Sequence, residues 1–128
     1  MGWKLFLDDV RNPDGEFADA LVARTFREAV TLVQQHGIPE AASLDYDLSA
    51  APNAFRDGRD FLEWFIAELA YNCKNPDELK LLVFHTSDTE YARRMEFLWK
   101  VAQEQVFEQP HPAQVVIRPR SQVTVDFL

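Results

Sequence analysis

The residues best suited to chemistry in this chain are aspartates set in close pairs. Asp8 and Asp9 are adjacent at the end of the apolar run Leu5-Phe6-Leu7, and Asp45 and Asp47 flank Tyr46 in SLDYDL. Adjacent carboxylates repel unless water or a cation screens them. At this density their oxygens suit a hard divalent cation, Mg²⁺ or Mn²⁺, which binds a few carboxylates, keeps several waters and leaves positions for phosphate oxygens. His85 follows the apolar run KLLVF, and an imidazole with an unperturbed pKa of about 6.5 can move a proton near neutrality. Arg118 follows QVVI, and a guanidinium can grip phosphate oxygens two at a time. Each residue has an ordinary alternative role. Asp8 and Asp9 would be solvated loop residues, Asp47 a turn residue bonded to nearby backbone, His85 a hydrogen-bonded interior histidine, and Arg118 the partner of a carboxylate.

These residues matter together only if the chain brings them together, so the elements between them decide the case. Short apolar runs read as strands at LFL (5–7), LVAR (21–24), AASLD (41–45), KLLVF (80–84) and QVVIRP (114–119). Helical spacing appears between them. Thr25 and Glu28 form a capping-box pair ahead of Phe26, Ala29, Val30 and Val33, and Gly37 and Pro39 end that helix. A loop over 49–57, carrying Pro52, leads through Asp57-Gly58 into a second helix, RDFLEWFIAELAY, ended by Asn75-Pro76. A third helix with Tyr91, Met95, Leu98, Val101 and Ala102 on one side follows HTSDTE and stops at Pro110-His111-Pro112. Alternating strands and helices predict an α/β fold with an open parallel five-stranded sheet, order 2-1-3-4-5, covered on both faces. The first crossover has only residues 8–20, with Pro13 and Gly15, which predicts a loop or one short turn of helix there. In such a sheet the strand ends share the carboxyl edge, where ligands bind. Asp8, Asp9, Asp45, Asp47, His85 and Arg118 should therefore converge.

Length and composition narrow the classes. A chain of 128 residues, 47% hydrophobic and 12% aromatic, suits one folded domain, 1–128, in which residues 120–128 form a tail or an extra strand. A net charge of −8 with no basic run argues against long nucleic acid as a partner. A small phosphorylated substrate stays open if a metal ion neutralises the site. The single cysteine, Cys73, excludes an intramolecular disulfide. Neither a signal peptide nor a membrane-length apolar run is recognisable, so a soluble cytoplasmic protein is the expectation.

The order of motifs resembles the receiver domains of two-component response regulators. The acidic pair Asp8-Asp9 follows the first strand, Asp45 stands in the phosphoacceptor position, Asp57-Gly58 opens the next helix, Thr86 ends the fourth strand, and Arg118-Pro119 takes the place of a Lys-Pro pair. The chain departs from that pattern in several ways. Arg replaces Lys, the first helix is reduced or missing, a short tail stands where the last helix would be, and Asp47 and His85 are added at the active edge. It is more similar to the cyclic-phosphate processing receiver-like group, whose D-D-x-R-x-P opening is matched by Asp8, Asp9, Arg11 and Pro13. That group's third-strand motif is matched by Asp45-Tyr46-Asp47, with Tyr46 where His is usual. Its later motifs are matched by His85-Thr86-Ser87 and Arg93-Arg94-Met95. A fainter likeness joins Asp45-Tyr46-Asp47 to the D-x-D of haloacid-dehalogenase-like phosphatases.

The resemblance implies a stand-alone, metal-dependent enzyme that hydrolyses cyclic phosphates on nucleotides or RNA ends. Asp8, Asp9 and Asp45 would hold Mg²⁺ or Mn²⁺. Asp47, His85 and Ser87 would serve catalysis, although Ser87 with Glu90 also reads as a capping box. Arg11, Thr86 and Arg118 would bind phosphate. The alternative it leaves open is a signalling or protein-interaction module, in which Asp45 accepts a phosphoryl group or the fold is a pseudo-receiver that binds a protein partner.

Overall fold

The structure, a computed structural model, describes residues 2–51, 55–86 and 88–118. Five strands make one parallel sheet: β1 (Lys4–Leu7), β2 (Leu21–Ala23), β3 (Ala41–Leu44), β4 (Leu81–His85) and β5 (Gln114–Arg118), in the order β2-β1-β3-β4-β5. This is the receiver-like order the sequence predicts. Among the described residues three α-helices connect the strands: α1 (Phe26–His36), α2 (Gly58–Ala67), which runs on into a π-helical turn over Glu68–Asn72, and α3 (Thr89–Gln105). The first crossover contains a single 3₁₀ turn, Gly15–Phe17, entered through Gly15 at φ 58°.

Among the described residues the helices do not cover both faces of the sheet. Leu5, Leu7, Ala42, Leu44, Leu82 and Phe84 point to one face and pack with Val33 of α1, Phe61 and Phe65 of α2, and Met95 and Trp99 of α3 in a single core. On the other face Phe6, Ala41 and Val83 pack with Phe17 of the 3₁₀ turn. Among the described residues all three helices therefore lie on one face. The reason is topological. Right-handed crossovers that step across a sheet in one direction place their helices on one side, and a step in the other direction places its connection on the opposite side. The connections from β2 through β5 all step the same way. Only β1 to β2 steps back, and that is the segment too short for a helix.

Local signals set the helix ends. Thr25 Oγ1 accepts from the Glu28 N–H at 3.1 Å, but Glu28 Oε1 accepts from Arg24 N rather than from the cap residue, so the expected reciprocal box reaches one residue further back. Asp57 and Asp60 form a full capping box at the start of α2. At α3 the cap is Asp88, whose carboxylate accepts from the Glu90 and Tyr91 N–H groups. The capping role expected of Ser87 thus falls to its neighbour, and Ser87 itself lies outside the described residues, as does the 120–128 tail. No helix among the described residues is long and apolar enough to cross a membrane.

Candidate functional site

The sheet register sets the site. Leu7 pairs with Leu44, Leu44 with Phe84, and His85 with Arg118. One residue beyond Leu7 and Leu44, Asp8 and Asp45 fall into the same row as His85 and Arg118, across four neighbouring strands at the carboxyl edge. Asp8, Asp45 and His85 are each 0% exposed. Each offers a ligand atom within 4.8 Å of the others, so the group could hold a metal ion. Two carboxylates with an imidazole form a mixed oxygen and nitrogen donor set.

Burial of charge is tolerable here because every group is braced. His85 Nε2 lies 3.0 Å from Asp8 Oδ2, and its Nδ1 lies 2.6 Å from Ser43 Oγ. The Phe6 ring stacks on the imidazole at 4.6 Å, nearly parallel. Burial pushes the Asp8 carboxyl upward, but the hydrogen bond from His85 and those from the Arg11 and Val10 N–H groups outweigh it and lower its pKa to about 2. Those two N–H groups reach Asp8 Oδ1 at 2.7 and 2.9 Å. Arg24 in turn holds the turn that supplies them, donating to the carbonyls of Asp8 (3.2 Å) and Arg11 (2.5 Å) and to Asn12 Oδ1 (2.7 Å).

The remaining predicted residues surround this group in different ways. Asp9, half-buried, accepts from Ala50 N at 2.9 Å and ties the first strand end to the loop after β3. Asp45 Oδ1 accepts from Tyr46 N at 2.8 Å. Asp47 is exposed, and its Oδ1 accepts from Ser49 N at 2.9 Å in an Asx-type turn. Thr86 is buried, and its hydroxyl accepts from Asp88 N at 3.3 Å. The Arg11 side chain is half-buried, and its Nε meets no hydrogen-bond acceptor among the described residues. Arg118 forms an ion pair with Glu16 of the 3₁₀ turn. Of the Arg93-Arg94-Met95 stretch, Met95 is core, while Arg94 lies over the Tyr91 ring at 5.7 Å. Tyr91 stacks on Tyr46 at 4.1 Å.

Three contributors escape a reading of the sequence. Ser43 sits mid-strand, and its signal was a lone hydroxyl in an otherwise apolar run. Arg24 follows β2 at the same carboxyl edge, so the positional rule that singled out Arg118 would have found it. Phe6 carries no signal, since any strand interior contains such a residue.

Residues 3–100 match the sequence pattern of the family described as "Cyclic-phosphate processing Receiver domain". No curated protein matches the chain. Among solved structures, a chain described as the yeast Spc42 trimeric coiled coil, amino acids 181–211, fused to another structure is similar. It has 17% identity and a TM-score of 0.49, with 94% of this chain and 69% of that one covered.

Proposed function

Since the chain belongs to the family of cyclic-phosphate processing receiver domains, we propose that it hydrolyses a cyclic phosphodiester on a small nucleotide or an RNA end, with a divalent cation, Mg²⁺ or Mn²⁺, held by Asp8, Asp45 and His85. The observation that carries this reading is the meeting of those three buried side chains at the carboxyl edge. The cation, when bound, supplies positive charge to the phosphoryl oxygens. Asp8 enters the site already ionised, and backbone N–H groups orient one oxygen of Asp8 and one of Asp45.

In this reading water adds to phosphorus, one of the two ester P–O bonds breaks, and the freed alkoxide takes up a proton to leave a phosphomonoester. Asp47, exposed at the rim, takes the proton of the attacking water. Arg11 and Arg118 hold the non-bridging oxygens, with Arg118 exchanging Glu16 for phosphate. Asp9 keeps the two acidic loops together through Ala50.

The test is hydrolysis of 2′,3′- and 3′,5′-cyclic nucleotides by the purified protein with Mg²⁺ or Mn²⁺. Turnover that is abolished in Asp8→Ala and Asp45→Ala, and reduced about 10²- to 10⁴-fold in Asp47→Ala, supports the reading. No turnover of any cyclic phosphate by the wild-type protein would sink it.

A further inference from the structure

Arg24 follows β2 directly and so stands at the same carboxyl edge as Asp8. Its half-buried guanidinium is engaged by oxygens of one short stretch, residues 8–12. Nη1 donates to the Asp8 carbonyl at 3.2 Å and to the Arg11 carbonyl at 2.5 Å, and Nη2 donates to Asn12 Oδ1 at 2.7 Å. These acceptors lie 12 to 16 residues away in the chain, so the contacts belong to the tertiary fold. The base of the side chain is held too. Arg24 N donates to Glu28 Oε1 at 2.7 Å, and Asp8 N donates to the Ala23 carbonyl at 3.0 Å.

The pattern of these contacts has a geometric consequence. A peptide unit is planar and moves as one piece. Arg24 grips the carbonyls of the units Asp8–Asp9 and Arg11–Asn12. The two units between them carry the Val10 and Arg11 N–H groups, which donate to Asp8 Oδ1 at 2.9 and 2.7 Å. Fixing the outer units leaves the inner ones little freedom, and so aims both N–H groups at the carboxylate. A guanidinium suits the task because it is a planar fork with five donors, whereas a lysine ammonium is a compact point charge.

We propose that Arg24 is a positioning residue: it clamps residues 8–12 from β2, and through that turn sets the direction in which the Asp8 carboxylate meets a divalent cation. The inference deepens the proposed function and rests on it for the cation. Arg24 acts through the turn and not on substrate, and its role needs no change of protonation at any group.

Amide hydrogen exchange by nuclear magnetic resonance reports the turn, and electron paramagnetic resonance titration gives Mn²⁺ affinity. Arg24→Ala should exchange the Val10 and Arg11 amides at least about tenfold faster and bind Mn²⁺ about 10- to 100-fold more weakly, as loss of a partner behind a ligand does. Arg24→Lys, which keeps the charge without the fork, should resemble Arg24→Ala. Gln103→Ala is the control for lost stability. It removes two hydrogen bonds to the His111 backbone near the other end of α3, and should leave both readouts at wild-type values. Unchanged exchange in Arg24→Ala overturns the proposal. So does faster exchange with wild-type Mn²⁺ affinity, or an equal loss of affinity in Gln103→Ala. Turnover enters neither readout. The expected losses in a protein that hydrolyses no cyclic phosphate would reject the proposed reaction and keep the role of Arg24, and hydrolysis with unchanged Mn²⁺ affinity in Arg24→Ala would do the reverse.

Discussion

Asp8 receives two backbone N–H groups and the His85 imidazole, and its pKa falls from 3.8 to about 2 although burial alone would raise it. A carboxyl whose pKa is lower folded than unfolded stabilises the fold in its ionised form. That stabilisation is complete above the unfolded value, near pH 4, and is lost as pH falls toward 2. It amounts to about 2 kcal/mol by linkage. Urea denaturation between pH 2 and 6 should show stability rising with pH by that amount, and Asp8→Asn should flatten this part of the curve. A variant that keeps the full slope would mean that another carboxylate is responsible. Arg118 poses a different question, because Glu16 already neutralises it. Both side chains are about one-third or more exposed, so the pair is worth only about 0–1 kcal/mol. Glu16→Gln should accordingly lower KM for a cyclic-phosphate substrate by up to about fivefold, with kcat little changed. An unchanged KM would remove Arg118 from phosphate binding.

At the scale of elements, the start of α2 is pressed against the end of β3. A Cβ built on Gly58 would lie 1.6 Å from the Asp45 carbonyl oxygen and 2.7 Å from its carbon, and Gly58 N already donates to the Tyr46 carbonyl at 2.7 Å. Backbone cannot yield as a flexible side chain does. Gly58→Ala must therefore displace either the helix or the Asp45 strand end, and should cost about 3 kcal/mol. The adjacent cap variant, Asp57→Ala, loses a hydrogen bond but creates no clash and should cost about 1 kcal/mol. Equal losses in the two variants by chemical denaturation would show that the close approach does not matter. Gly58→Ala should also weaken Mn²⁺ binding, since Asp45 moves with its carbonyl.

For the whole molecule the net charge of −8 sets the response to ions. Monovalent salt screens general repulsion, whereas a cation bound to the native site stabilises by mass action, about 2.7 kcal/mol at a hundred times Kd. Mn²⁺ should therefore raise Tm by several degrees beyond NaCl of equal ionic strength, and Asp8→Asn should respond to both salts alike. A wild-type protein that does not distinguish the two salts would argue against a cation at this site. The one-sided packing of the helices matters at this scale as well. The imidazole, Ser43 and Phe6 lie on the sheet face opposite α1, α2 and α3, so this buried polar group is separated from the main apolar core by the sheet itself.

Much of this molecule is legible in the amino-acid sequence. Apolar runs, Thr25, Gly37, the Asp57-Gly58 pair and the Pro110-His111-Pro112 break mark elements by local physics: hydrophobic periodicity, caps and breakers act over a few residues. Parallel pairing then places Asp8, Asp45, His85 and Arg118 at one edge, because every strand end of a parallel sheet points the same way. Tertiary structure alone decided the rest. Whether helices cover one face or both depends on the handedness and length of crossovers, not on any single segment. Whether Asp9 and Asp47 face an ion or bond a loop N–H depends on backbone that comes from elsewhere in the fold or from the turn itself. The contacts of Ser43 with His85 and of His85 with Asp8 join positions 42 and 77 residues apart, a distance at which no local pattern can act.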